Sequence, residues 1–252
     1  MTDLWKYDNF INENYFYLVN KEITEYDMKE GGFSLVQEYN LLNEKTIMEL
    51  KKMGKEKRKI QLGKIQRSDE IFKEKLKKAF QYARKLFVEN NNLEDDDILS
   101  IKKDAIITTK YCPNHQVGKF VDFRPKHDYT SYIKLDKRLE IYYSPYDFAV
   151  KGIGDEMLAY HENYMIKFIK SYFNKLETSA TEDVIEFVRN FIDRYKSLDL
   201  DVGYYRNFNI KSDYTIINDD TSYMTYWEDQ KSDIDISYNY YNLLLKLIKV
   251  PL

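Results

Sequence analysis

The chain contains 252 residues, enough for one large domain or two small ones, with 43% hydrophobic and 32% charged residues, as in folded soluble proteins. The formal net charge of −3 argues against a wholly basic nucleic-acid coat, and the longest apolar run is far shorter than the ~20 residues of a membrane helix. The single cysteine, Cys112, excludes an internal disulfide. No secretory signal pattern stands at the N-terminus, so we expect a cytoplasmic protein, in the host cytoplasm if it is viral.

The first half of the chain is predicted to contain one strand followed by helices. Residues 21–28 are rich in β-forming side chains and end near Asp27, and Gly31 and Gly32 break the strand. Helices are then predicted over residues 33–42, 43–53 and 68–91. The last of these is the clearest, because its apolar residues recur at intervals of three and four.

A β-rich region follows the third helix. Strands are predicted near residues 98–101, 105–110, 118–124, 130–135 and 138–143, with Asp136–Lys137 as a tight turn between the last two. Two amphipathic helices come next, over residues 153–176 and 184–198. Their apolar stripes predict that they pair as an antiparallel hairpin.

This order of elements predicts the fold class. Helices and strands come in separate runs, which favours an α+β fold over a wound parallel sheet. We expect a small mixed or antiparallel sheet with a β-hairpin, packed by helices, plus a C-terminal helical hairpin. The predicted domains are an α+β core over residues 1–150, with a helical insertion over 33–91, and a helical region over 151–252 packed on it. The alternative is one continuous domain.

Several common sites are excluded or disfavoured by the residues present. A closed zinc site is disfavoured, because Cys112 and His115 have the spacing of half of one but the other half would need both remaining histidines and no second cysteine is present. No P-loop, dinucleotide-binding glycine motif or Gly-x-Ser-x-Gly elbow is found.

Three features of the first 110 residues carry the candidate chemistry. Asp27 ends a strand, and two glycines then turn the chain into a helix. Residues 51–67 carry eight basic residues against one acidic residue, Glu56. In "ILSIKKDAIITTKY" (98–111), Asp104 separates two apolar, strand-forming halves. The third feature therefore predicts a β-hairpin with a carboxylate at its turn.

These features suit phosphoryl or nucleotidyl transfer. Two carboxylates on rigid neighbouring strands can hold two Mg²⁺ or Mn²⁺ ions about 3.5–4 Å apart. Basic side chains on an adjacent helix can neutralise a triphosphate. Asp27 and Asp104 are therefore the predicted catalytic and metal-binding residues. A metal-dependent nuclease uses the same kind of site, so a nuclease is an alternative to a nucleotidyltransferase.

The same residues resemble the palm of single-subunit polymerases, that is, of the phage-type RNA polymerase and family A enzymes. The first palm motif is a strand that ends in Asp, and in the phage branch a Gly follows five residues later, as Gly32 follows Asp27 here. The last motif is a β-hairpin with a catalytic Asp at its turn. "SIKKDAII", with Asp104, is similar in outline, but Lys103 stands where that motif usually has His.

The resemblance implies a Mg²⁺-dependent, polymerase-related phage protein. The palm superfamily's intermediate motif is a basic helix with an Arg and a Lys that face the triphosphate. In this sequence the resemblance assigns those roles to Arg58 and Lys64, and Lys103 beside the turn is a further candidate for phosphate binding.

Aromatic and basic residues elsewhere are compatible with nucleic-acid binding. "DFRPKHDYTSY" carries Arg124 and Lys126, and "DVGYYRNF" carries three neighbours that could stack bases and contact phosphates: Tyr204, Tyr205 and Arg206. Tyr-rich stretches are equally typical of surfaces that bind protein.

Two competing interpretations stay open. The acidic, Tyr-rich segment 213–241 favours a non-catalytic viral protein that docks on a host or viral enzyme, with Tyr223, Tyr226 and Trp227 as anchors. Alternatively, Asp27 only ends a strand before a glycine turn, Asp104 lies in a solvated hairpin, and residues 51–67 form a solvated helix face.

Overall fold

The computed structural model describes residues 2–135, 139–152, 167–197 and 199–200. This part of the chain forms six α-helices and two antiparallel sheets, so the predicted α+β class is confirmed. The helices are α1 (Gly31–Glu38), α2 (Glu44–Lys52), α3 (Lys55–Ser68), α4 (Glu70–Asn90), α5 (Lys167–Thr178) and α6 (Thr181–Lys196). The strands are β1 (Phe10–Ile11), β2 (Tyr17–Leu18), β3 (Ile23–Met28), β4 (Ile98–Lys102), β5 (Ala105–Thr108), β6 (Phe123–Tyr129), β7 (Ser131–Lys134), β8 (Glu140–Tyr143) and β9 (Phe148–Lys151).

The chain divides into two compact units. Unit 1 comprises Met1–Tyr15 and Lys21–Tyr129, and unit 2 comprises Phe16–Asn20 and Thr130–Leu252. The boundary predicted after residue 150 lies instead inside β9. That strand pairs with β8 of the same sheet, so a domain boundary at this point would cut through a hydrogen-bonded ladder.

Unit 1 contains a five-stranded antiparallel sheet in the order β1-β4-β5-β3-β6. Tyr26 and Met28 of β3 belong to the hydrophobic core that α4 completes with Phe80 and Phe87. The ring of Phe87 lies 5.3 Å from that of Tyr26 and 4.7 Å from that of Phe123 at the start of β6. The apolar stripe of α4, with its period of three to four, therefore lies on the inner face of this sheet.

Two helices of unit 1, α2 and α4, begin at a side-chain cap. The Asn43 side chain accepts a hydrogen bond from the Thr46 backbone at the start of α2, and Asp69 does the same for Phe72 at the start of α4. The predicted basic helix is α3, which Gly54 separates from α2.

β6 differs most from its predicted boundaries. A strand was expected over 118–124, but the strand runs from Phe123 to Tyr129 and includes Pro125. Proline lacks a backbone N–H and is tolerated in an edge strand, and β6 is the edge strand of its sheet.

Unit 2 contains a four-stranded antiparallel sheet in the order β2-β7-β8-β9, together with α5 and α6. The two helices contact each other through Phe168 of α5, whose ring lies 5.6 Å from Phe187 and 4.0 Å from Phe191 of α6. The predicted C-terminal helical hairpin is thus confirmed for residues 167–196. Its predicted first part, residues 153–166, and the predicted turn at 136–137 lie outside the described residues.

None of the helices described here combines the length with the apolar composition that a membrane crossing requires.

Candidate functional site

The two predicted metal-binding residues lie on neighbouring strands at one end of the unit 1 sheet. Asp27 of β3 pairs in register with Ala105 of β5. Asp104 precedes Ala105, in the two-residue turn that joins β4 to β5. The backbone N–H of Met28 donates a hydrogen bond of 2.8 Å to the main-chain oxygen of Asp104. Residues 77 positions apart in the sequence are therefore brought next to each other by strand pairing.

The side chains of Asp27 and Asp104 have different surroundings. Strand alternation puts Asp27 on the face of the sheet opposite Tyr26 and Met28, and its side chain is 30% exposed. The Cβ atom of Asp104 lies on the side of Gly31, 3.3 Å from the position that a Cβ of Gly31 would occupy. The Asp104 side chain is exposed.

Two basic residues of β6 lie beside Asp27. Arg124 is its cross-strand partner, and the Nζ atom of Lys126 lies 3.9 Å from Oδ2 of Asp27. The register between β3 and β6 shifts between Glu25 and Tyr26, so that Lys126 is the extra residue of a β-bulge. Bulges redirect side chains and are frequent next to active sites. Both predicted nucleic-acid-binding residues of β6 thus lie at the same end of the sheet as the two aspartates.

A buried arginine, which the sequence analysis did not identify, holds the hairpin turn. Arg84 of α4 is fully buried, and its guanidinium donates hydrogen bonds to Lys103 O at 2.6 Å, Trp5 O at 3.0 Å and Asp8 Oδ1 at 2.8 Å. Burial lowers the pKa of Arg84, while Asp8, and Asp104 to a smaller extent, act in the opposite direction. Arg84 is thus a positioning residue for the turn that carries Asp104.

One feature of the sequence indicates that Arg84 is buried. It follows Phe80 by four residues and precedes Phe87 by three, which puts a charge on the apolar stripe of α4. A charge at such a position requires buried partners, although the sequence does not say which ones.

Arg58, predicted to face a triphosphate, is bonded to the protein itself. Its guanidinium donates to a carboxylate oxygen of Glu30, to Leu50 O at 3.0 Å and to Met53 O at 2.8 Å. The same group lies 4.3 Å from the ring centroid of Phe33. Arg58 therefore ties the end of α2 to the turn after β3.

The two predicted phosphate-binding lysines lie in different places. Lys103 belongs to the hairpin turn, and its Nζ atom lies 5.1 Å from the ring centroid of Phe80. Lys64 is exposed on α3. The other predicted contacts, Tyr204, Tyr205 and Arg206, and the segment 213–241 lie outside the described residues.

The donor set at the end of the sheet suits Mg²⁺ better than zinc. Within the described residues, no group of three or more His, Cys, Asp and Glu side chains gathers to hold a metal ion. Mg²⁺ keeps several waters and is commonly held by one or two carboxylates together with substrate phosphates. Asp27 and Asp104 are two carboxylates and do not supply the four ligands of structural zinc.

The protein thus has an α+β fold in which two aspartates and several basic residues lie at one end of the unit 1 sheet. The chain belongs to the bacteriophage PBS1 gene 130 protein family, whose family model matches residues 1–252. The prediction of a phage protein is therefore confirmed. A comparison with curated proteins finds no match.

Proposed function

We propose that this protein is a Mg²⁺- or Mn²⁺-dependent nucleotidyltransferase, related to polymerases, that acts on nucleotides or nucleic acid in the host cytoplasm. The observation that carries the proposal is that Asp27 pairs with Ala105, the residue that follows Asp104 of the hairpin turn. With strands ~4.8 Å apart and a rise of ~3.4 Å per residue, the Cα atoms of the two aspartates are roughly 6 Å apart. The two side chains leave from opposite faces of the sheet, so the proposal requires both carboxylates to turn toward a shared ion beyond the end of the sheet.

The strand order of unit 1 supports the proposed site. β3, which carries Asp27, lies between the hairpin that carries Asp104 and β6, an edge strand. Helix α4 covers the face on which Tyr26 and Met28 lie. The face of Asp27 carries Arg124 at the same level, so charged side chains of both signs lie where a phosphate with its metal ion could bind.

The residues of the proposed site divide into metal-binding aspartates and phosphate-binding cations. Asp27 and Asp104 hold the divalent ion, which when bound would activate the attacking hydroxyl and neutralise phosphate charge. Arg124 and Lys126 bind phosphate oxygens of the substrate, since they are exposed cations beside Asp27. Lys103 is the corresponding cation on the hairpin side.

The proposal is tested by incubating the full chain with labelled NTPs or dNTPs, Mg²⁺ or Mn²⁺, and primed or unprimed templates. We expect extension or labelling that falls by about 100-fold or more in Asp27→Asn and in Asp104→Asn, because each substitution removes a metal ligand. The matched control is Asp96→Asn, an exposed aspartate just before β4, at the strand end remote from the turn.

The possible outcomes separate the alternatives. Full activity in both Asn variants, or no reaction of the wild-type chain with any of these substrates, would overturn the proposal. Degradation of the template in place of extension would identify the nuclease alternative at the same site.

A further inference from the structure

Helix α3 carries a stripe of cations that the proposed active site does not use. Lys57, Ile60, Lys64 and Arg67 follow one another at intervals of three, four and three residues, so they share one side of the helix. All four are exposed, and Ile60 is 59% exposed. Arg58 and Leu62 lie on the other side of the helix, where Arg58 bonds to Leu50 O and Leu62 belongs to the hydrophobic core of unit 1. We call Lys57, Ile60, Lys64 and Arg67 the outer stripe.

The cations of the outer stripe have no acidic partner in the described part of the chain. No carboxylate there lies within salt-bridge distance of Lys57, Lys64 or Arg67, or of the flanking Lys55 and Lys59. The next helix, α4, contrasts with this arrangement. It pairs Lys73 with Glu70 and Lys85 with Glu89, although its other lysines, Lys75, Lys77 and Lys78, form no ion pair within the described residues. An ordinary solvated helix face mixes the two charges as α4 does.

The imbalance extends beyond α3. Residues 44–78 contain thirteen basic and six acidic residues, a net charge of +7 within a chain of net charge −3, so the rest of the chain carries −10. Uncompensated like charge weakens a fold through self-repulsion. A bound polyanion removes that cost.

The spacing of the stripe fits a nucleic-acid strand. Lys57 and Arg67 are ten residues apart, about 15 Å along a helix axis. One strand of a duplex presents a phosphate every ~3.4 Å along its axis, so about four phosphates lie within that length. Gly63 lies between the turns that carry Lys59 and Arg67, and a Cβ added there would meet no atom within 4 Å. Its missing side chain lets a ligand backbone approach the helix.

We propose that the outer stripe of α3, with Lys59 at its border, binds the phosphate backbone of a polymeric nucleic acid without reading its sequence. The proposal does not depend on Asp27 or Asp104, because these contacts need no metal ion.

The experiment measures binding of the full chain to labelled single- and double-stranded oligonucleotides of two unrelated sequences, in EDTA, over a series of salt concentrations. We expect Lys57→Gln/Lys64→Gln/Arg67→Gln to bind at least about tenfold more weakly at low salt and to reduce the slope of log K against log [salt] by about 2–3, since each phosphate contact contributes about 0.7–0.9. Glutamine is a good helix former, so α3 should persist, as circular dichroism would show.

Two controls accompany this variant. Lys57→Arg/Lys64→Arg/Arg67→Lys keeps every charge and should bind as the wild type does, because backbone contacts need only a cation. Lys21→Gln/Lys167→Gln/Lys170→Gln removes the same charge at exposed positions outside α3 and should also bind normally.

Three results would overturn the proposal. They are a wild-type chain that binds neither oligonucleotide at low salt, equal losses in the α3 variant and in the Lys21/Lys167/Lys170 control, and binding of polyglutamate in preference to nucleic acid. The last would indicate an acidic protein partner. EDTA removes any metal-dependent contribution, so failure here is distinguishable from failure of the proposed catalytic activity.

Discussion

The main-chain oxygen of Asp104 accepts a hydrogen bond from the backbone N–H of Met28, the residue that follows Asp27. This bond extends the β3–β5 ladder by one step beyond the pair of Asp27 and Ala105. The position of the hairpin turn relative to Asp27 is thus fixed by backbone pairing and does not need either carboxylate. Asparagine substitutions at the two aspartates should therefore report on chemistry and leave the sheet intact.

Gly31→Ala should disturb the hairpin turn. The added Cβ would lie 3.1 Å from Met28 Sδ, 3.1 Å from a ring carbon of Phe80 and 3.3 Å from Asp104 Cβ. Such distances force the neighbours to move, at a cost of about 1–3 kcal/mol. We expect a lower urea midpoint and a lower rate in the nucleotidyl-transfer assay, because Asp104 would be displaced.

The matched control for this prediction is Gly32→Ala. A Cβ at Gly32 would meet only Leu62 Cδ1, at the ordinary contact distance of 3.9 Å. Stability and activity should stay close to wild type. Equal behaviour of the two variants would show that the close approach of Gly31 to Asp104 has no consequence.

Arg84→Met should be strongly destabilising. It removes three hydrogen bonds and leaves Asp8, Trp5 O and Lys103 O without their donor. Leaving a buried hydrogen-bond acceptor without its donor costs about 1–3 kcal/mol, and the ion pair itself adds less because the Asp8 side chain is 37% exposed. Lys85→Met is the neighbouring control, since the Lys85 side chain is 39% exposed and its 3.6 Å ion pair with Glu89 is a surface contact worth about 0–1 kcal/mol. Urea unfolding compares the two, and similar losses would contradict the tethering role of Arg84.

The sequence predicted the parts of unit 1 that local patterns determine. The β3 strand ends one residue after Asp27 and shortly before two glycines, and the hairpin of Asp104 is a short apolar–polar–apolar pattern. Both are readable because the signal and the structure occupy the same few residues. The adjacency of Asp27 and Asp104 was predicted from the needs of a two-carboxylate metal site and from the resemblance to polymerase palms. Pairing between strands that are distant in the sequence has no local signature.

Features that depend on distant partners have no local signal. The prediction that Arg58 faces a triphosphate rests on a basic run, which does not reveal that its guanidinium donates to Glu30, 28 residues away, and to carbonyl oxygens near the end of α2. The strand β6 was not predicted over its full length, because "FRPKHDY" contains charged residues and Pro125, which are unusual in strands. Its pairing with β3 is not visible in the local sequence. The pairing of β2 with β7 has no local signal either, because β2 lies near the N-terminus, more than a hundred residues before β7.

Lys126→Gln should change metal and substrate binding in opposite directions. Its Nζ atom lies 3.9 Å from Asp27 Oδ2, so its charge competes with a cation held by that carboxylate. A unit charge about 4 Å away contributes about 1 kcal/mol per opposing charge in water. We expect Mn²⁺, titrated calorimetrically, to bind a few-fold tighter and nucleotide to bind more weakly. Weaker binding of both Mn²⁺ and nucleotide would indicate a purely structural role for Lys126. Lys134→Gln, in unit 2, serves as the control.

Cys112 should resist alkylation in the folded protein. The residue is buried, and burial raises the pKa of its thiol to about 11. At about pH 8 only roughly one thiol in a thousand is then ionised, and the thiolate is the reactive form. Iodoacetamide labelling followed by mass spectrometry should therefore be slow until urea unfolds the chain. Rapid labelling under native conditions would contradict this.

Stability should also fall at alkaline pH. The folded state raises the pKa of Cys112 to about 11 and that of Tyr26, whose phenolic oxygen accepts from the Cys112 N–H at 2.8 Å, to about 12. Both groups hold their protons more tightly when folded, so their contribution is complete below the ordinary values of 9.0 and 10.0 and is lost as the pH rises through 11 and 12. Urea midpoints measured across this range should decline, and a flat profile would contradict the assignment.

Gly63→Ala should stabilise the protein while leaving its contacts unchanged. Glycine inside a helix costs about 0.5–1 kcal/mol relative to alanine, and a Cβ at Gly63 would meet no atom within 4 Å. The melting temperature should rise by about 2–4 °C for a chain of this size. If nucleic acid lies close against α3, the same substitution should weaken oligonucleotide binding despite the added stability, because the methyl group occupies space next to the backbone. Gly54→Ala, at the first turn of α3, has equally open surroundings and should leave binding unaffected. A stabilised Gly63→Ala chain with unchanged binding would show that the glycine does not serve the contact.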